Sequence, residues 1–153
     1  MNGPEKMVTR LRPVEILLVD ESPADVALTQ EAFLDNKLCN NLHIVHDGVE
    51  AMDFLRKKGQ YASVPTPDII LLDLNMPRKD GREVLAEIKT DDELKCIPVV
   101  IMTVSKDDRD ILESYRLHAN CYVKKPVKFE EFLEVVRAIE NFWFSVVTLP
   151  SKK

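Results

Sequence analysis

Asp73 closes the apolar run Ile69-Ile70-Leu71-Leu72, and groups able to act on a phosphoryl centre stand at matching places elsewhere in the chain. Asp20-Glu21 follows Ile16-Leu17-Leu18-Val19, Thr103 ends Val99-Val100-Ile101-Met102, and Lys125 comes after Cys121-Tyr122-Val123. A lone Asp at a strand end usually braces the next turn. Here four strand ends carry acids, a hydroxyl and a lysine, and in a parallel sheet those ends meet at one edge. Carboxylates about 5 Å apart repel by roughly 3 kcal/mol per pair at an effective dielectric near 20, so three of them call for a cation. An all-oxygen set of Asp20, Glu21, Asp73 and the Asn75 backbone carbonyl suits Mg²⁺, or Mn²⁺. With its charge screened, Asp73 can act as an oxygen nucleophile on a phosphoryl group, forming an acyl phosphate. Lys125 would neutralise the developing charge and Thr103 would turn its hydroxyl to the new group, with Tyr122 filling the space that this movement leaves.

The elements that must position these groups alternate along the chain. Val14 to Val19 is the first strand, and Ser22-Pro23-Ala24-Asp25 opens a helix: Ser22 as N-cap, Pro23 at the first helical position, Asp25 against the helix dipole. That helix is expected to reach about Asn36, with Val26, Ala27, Phe33 and Leu34 toward the sheet. Leu42, Ile44 and Val45 make a second strand, and Asp47 with Glu50 caps a helix to Lys58, stopped by Gly59. Tyr61 to Pro67 feeds the Asp73 strand. A turn over Pro77–Gly81 leads to a helix over Arg82–Thr90 with Val84, Leu85 and Ile88 on its apolar side. The fourth strand, from Val99, precedes a helix from about Ser105 to His118 with Ile111, Leu112 and Tyr115. After Cys121–Val123 the last helix carries Phe129, Phe132, Leu133, Val136, Ile139 and Trp143 at helical spacing. Five alternations with strands apolar throughout predict an α/β fold, a doubly wound, flavodoxin-like parallel sheet of order 2-1-3-4-5.

A chain of 153 residues suits one domain: an arm over 1–12, the domain over 13–147 and a tail over 148–153. The net charge of −5 argues against a nucleic-acid surface, which draws on Lys and Arg clusters. No apolar run is long enough to span a bilayer and no apolar leader opens the sequence, which predicts a cytoplasmic protein without a membrane partner. Cys39, Cys96 and Cys121 show no metal or redox spacing and are expected to be reduced, packed thiols; His43, His46 and His118 likewise lack ligand spacing.

At these residues the sequence resembles the receiver domain of two-component response regulators, over about Val14 to Phe144. Asp20-Glu21, Asp73, Asn75 with Pro77 and Gly81, Thr103, Tyr122 and Lys125-Pro126 stand in family order. The resemblance implies phosphorylation of Asp73 by a histidine kinase and a metal site at Asp20, Glu21 and Asp73. It also implies a Thr103/Tyr122 switch pair, a phosphate-binding Lys125 and a cis Lys125–Pro126 peptide. The stretch Leu72 to Leu85 and the ending Ile139-Glu140-Asn141-Phe142-Trp143 look like the small single-domain receivers that partner phytochrome histidine kinases. Val104 departs from the pattern, since receivers usually carry a small residue there, and its branched side chain is expected to slow phosphotransfer from small donors or slow hydrolysis.

Too little chain follows the last helix for an output domain, so the signal is expected to leave through a surface. Phe142, Trp143, Phe144, Val146 and Val147 either cover the core's edge or form a two-fold homodimer contact. An aspartyl-phosphate phosphatase would need its nucleophile in an early D-x-D motif, and a flavin module would find Asp20-Glu21 repelling its phosphate. A receiver-like interaction module that is never phosphorylated remains the alternative.

Overall fold

The computed structural model describes residues 13–34, 40–104, 107–125 and 129–139. Five parallel strands, β1 (Val14–Val19), β2 (Asn40–Val45), β3 (Ile69–Leu72), β4 (Val99–Thr103) and β5 (Cys121–Lys124), form one sheet in the order β2-β1-β3-β4-β5. The helices are α1 (Pro23–Leu34), α2 (Gly48–Leu55), α3 (Gly81–Thr90), α4 (Asp108–Arg116) and α5 (Phe129–Ile139). Strand pleating divides each central strand between two cores. Leu17, Val19, Ile70 and Leu72 pack with α2 and α3 on one face, while Ile16, Leu18, Ile69 and Leu71 pack with α1 on the other. Both faces are therefore covered, which explains why these strands are apolar throughout.

The order and the strand positions agree with the sequence-based expectation, and the helices bring corrections. Ala27 is exposed and Leu34 is 84% exposed, so neither faces the sheet. The helical period puts Val26, Thr29, Ala32 and Phe33 inward, and positions 27 and 34, seven residues apart, share the opposite side. Helix α2 ends at Leu55, not Lys58, because Lys57 takes a left-handed φ of 56°. The amides of Lys57 and Lys58 then turn back to Phe54 O and Asp53 O, closing a Schellman-type end with a lysine where glycine is usual. Gly59 opens a short 3₁₀ turn, Gly59–Tyr61.

Helix α4 starts at Asp108 with Asp107 as its cap, and Leu112 and Tyr115 are exposed; Ser114 is its buried residue. The first helical turn of α3 is tied down by a capping box, in which Asp80 accepts from the amides of Arg82 and Glu83 and Glu83 returns to the Asp80 amide. Cys96 is exposed, against the expectation of a packed thiol, and Cys121 is partly buried. The arm, Cys39, Pro126 of the expected cis peptide, the candidate dimer residues Phe142 and Trp143, and the neighbouring Phe144, Val146 and Val147 lie outside the described residues.

Candidate functional site

Asp20, Asp73 and Lys125 each stand one residue beyond a strand, and the ladder carries on into them. The Asp20 amide donates to Val45 O at 3.1 Å, that of Asp73 to Val19 O at 3.0 Å, and that of Lys125 to Thr103 O at 2.8 Å. Register on β1 and β3 pairs Val19 with Leu72, so Asp20 and Asp73 are neighbours across the sheet. Lys125 Nζ reaches back over this edge and donates to Asp20 Oδ2 at 2.6 Å, to Asp25 Oδ2 at 2.8 Å and to Asp73 Oδ2 at 3.3 Å. An ammonium has three hydrogens, and here three carboxylates receive them.

Burial makes this cluster electrostatically tense. Asp20 is 2% exposed, and burial pushes its carboxyl above the ordinary carboxylate value despite the bond to Lys125 and the Ser22 amide on Oδ1. For Lys125, burial alone would lower the ammonium's affinity for its proton; attraction to Asp73 and the bonds to Asp20 and Asp25 outweigh it and hold the group well above its usual value. Thr103 is buried at the end of β4, and its Oγ1 has no hydrogen-bond partner among the described residues. A buried hydroxyl without a partner is costly, on the order of 1–3 kcal/mol, and is the kind of group an incoming acceptor would satisfy.

The loop after β3 is held in a fixed shape. The Asn75 amide donates to Asp73 Oδ1 at 3.3 Å, and Gly81 N donates to Leu74 O at 2.8 Å. Arg78, with a left-handed φ of 64°, is clasped by Asp47 at the head of α2, its Nε 2.9 Å from Oδ2. Gly48 permits this approach, since a Cβ there would lie 2.2 Å from Lys79 O.

The expected residues are thus brought together unevenly. Asp20, Asp73 and Lys125 meet; Glu21 and Asn75 are exposed beside them; Tyr122 is partly buried against the α2–α3 core. No three of the described His, Cys, Asp and Glu side chains close into a ready ligand cluster, and Lys125 stands among the acids at this edge. Two buried carboxylates, a rim of further oxygen donors and only one ammonium nevertheless suit a hard divalent cation. Asp25 joins this group unannounced by the sequence pattern, which gives it only a place against the helix dipole; its position on the first turn after β1 puts it at the same edge. Val104 is 61% exposed at the end of β4.

The chain belongs to the response regulator receiver domain family, whose model matches residues 16–137. Among its relatives is the response regulator Rcp1 of Synechocystis sp. (strain ATCC 27184 / PCC 6803 / Kazusa), 48% identical over 139 residues, covering 91% of this chain and 95% of that one. The structure is similar to the phosphorylated cyanobacterial phytochrome response regulator RcpA, with a TM-score of 0.89 at 48% identity, covering 92% of this chain and 100% of that one. It is also similar to the Mn²⁺-bound form of Rcp1, with a TM-score of 0.87 at 48% identity over 91% and 100% of the two chains.

Proposed function

We propose that this receiver, spanning residues 13–147, is a phosphorylation switch in which Asp73 takes a phosphoryl group from a histidine kinase of the phytochrome type. The single observation that carries the reading is the meeting of Asp73 with Asp20 and Lys125 at one sheet edge, beside the Thr103 hydroxyl, which has no hydrogen-bond partner among the described residues. An Asp73 oxygen attacks phosphorus, the donor's N–P bond breaks, and the acyl phosphate bears about −1.5 to −2 charges. Lys125 pairs with that charge and Thr103 Oγ1 donates to a phosphoryl oxygen, with Tyr122 following the hydroxyl to alter the α4–β5 surface. Asp20, Asp73, the Asn75 carbonyl and Glu21 are the groups that would hold Mg²⁺, which supplies charge neutralisation at the phosphoryl oxygens. The relatives named as phytochrome response regulators support the choice of kinase.

The protein has no other substrate in this reading: phosphotransfer to itself and loss of the phosphoryl group are its whole chemistry. It works in the cytoplasm through protein contacts, without nucleic acid or membrane, and pairs into a homodimer through Phe142 and Trp143. Among the described residues no helix is long and apolar enough to cross a membrane. A monomer in sedimentation would remove the dimer.

Incubation with acetyl phosphate and Mg²⁺ is expected to add one phosphoryl mass to the wild-type protein and none to Asp73→Asn. Labelling of neither would leave only a receiver-like interaction module, and labelling of both would move the phosphoryl group to a residue other than Asp73. Val104→Ala is expected to speed labelling or decay by about threefold, a barrier change under 1 kcal/mol; stopped time points by mass spectrometry read both rates, and equal values in the two proteins would clear Val104 of any gating role.

A further inference from the structure

The ammonium of Lys125 has more acid around it than a structural clasp requires. One carboxylate would neutralise it and two would hold its direction, yet Asp20, Asp25 and Asp73 all accept from it. Three carboxylates and one ammonium leave a charge of −2, a surplus that costs energy in a buried site unless a doubly charged cation joins it. Asp20 and Asp73 sit at strand ends as oxygen donors for that cation. Asp25 has a different place, on the first turn of α1 with its side chain 31% exposed.

Its backbone is well fixed there. The Asp25 amide donates to Ser22 Oγ at 3.3 Å, and the buried Thr29 hydroxyl donates to Asp25 O at 2.8 Å. Among the described residues the Asp25 carboxylate bonds Lys125 and no other side chain. The three bonds also differ: the contact to Asp73 is the longest, and those to Asp20 and Asp25 draw the ammonium toward β1 and α1.

We propose that Asp25 is a positioning residue, the acid that keeps Lys125 when a divalent cation claims Asp20 and Asp73, and that it thereby sets the affinity of the site for that cation. Without Asp25, Lys125 has, among the described residues, no carboxylate outside the cation's own ligands and competes with the cation for both. With it, the ammonium stays paired beside Asp73, placed to meet a negative group arriving there. The inference rests on the metal site of the proposed function and needs no phosphorylation for its test.

Titration of the full chain with Mg²⁺ by calorimetry is expected to give an affinity about fivefold weaker for Asp25→Asn than for wild type, and a value near wild type for Asp25→Glu. The same change made in Lys125→Met is expected to alter affinity by less than about twofold, because Asp25 acts through the lysine. An undiminished affinity in Asp25→Asn overturns the proposal, and so does an equal loss with and without Lys125, which marks a plain field effect of one charge. Failure of the wild type itself to bind Mg²⁺ would instead defeat the metal site and the positioning role with it.

Discussion

Lys125→Met is expected to destabilise the protein by about 3–5 kcal/mol at pH 7 in the absence of divalent cations, since removing one partner of a buried ion pair strands the other. The stranded groups are Asp20 and Asp73, whose side chains are almost wholly buried, with the partly exposed Asp25 losing its partner at the rim. Methionine matches the aliphatic stem, so the loss is charge and not packing.

The pH dependence follows from the direction of the Asp20 shift. Its folded-state carboxyl already binds a proton more tightly than an ordinary carboxyl, with burial as the first cause. Such a group favours the folded state at low pH, and that contribution is lost as pH rises through its raised value. Removing Lys125 removes the bonds that restrain the shift and raises the group further. The deficit of the variant is therefore expected to shrink between pH 7 and pH 5, and to shrink at pH 7 when Mg²⁺ is added. Urea unfolding at the two pH values and with the metal measures each effect; a variant equal to wild type at pH 7 would show that Lys125 does not neutralise these acids.

Gly81→Ala is expected to have a comparable effect for a steric reason. A Cβ on Gly81 would lie 2.2 Å from Asp73 O and 2.7 Å from Leu74 Cα. Both obstacles are backbone, so no side chain can swing away, and the end of β3 or the start of α3 must move. The cost is expected near 3 kcal/mol, at the upper end for overpacking, and the displaced carbonyl belongs to Asp73 itself. Loss of stability in urea should thus come with loss of phosphoryl uptake from acetyl phosphate. Retention of both would mean that the β3–α3 turn is slack, contrary to the Gly81 N to Leu74 O bond that closes it.

The two aspartates flanking β3 show how far local sequence reaches. Asp68 precedes the strand and Asp73 follows it, and both are buried. Asp68 accepts from the Glu15 amide at 2.8 Å and braces β1 against β3 at the end away from Lys125. Asp73 stands at the carboxyl end, where chain direction delivers Asp20, Thr103 and Lys125. The alternation of elements was enough to tell these positions apart, because parallel strands give all carboxyl ends one side.

Helix faces were less legible. Val26, Ala27, Phe33 and Leu34 look equivalent as apolar residues, but the period of α1 buries the first and third and exposes the others, with Thr29 taking an inward place. In α4, the apolar Leu112 and Tyr115 are exposed while the polar Ser114 is buried. The end of α2 depended on a left-handed lysine, which composition does not reveal.

From the order of apolar runs and their terminal residues alone, this chain's doubly wound sheet, its strand order and the meeting of Asp20, Asp73, Thr103 and Lys125 at one edge were determined, because strand direction and crossover handedness leave few arrangements. Only the tertiary structure decided that Lys125 shares its three hydrogens among Asp20, Asp25 and Asp73, and that Gly81 lies against the Asp73 carbonyl. Those outcomes depend on distances across elements far apart in sequence, set by how α1 and the β3–α3 turn pack on the sheet, and residue order carries no measure of them.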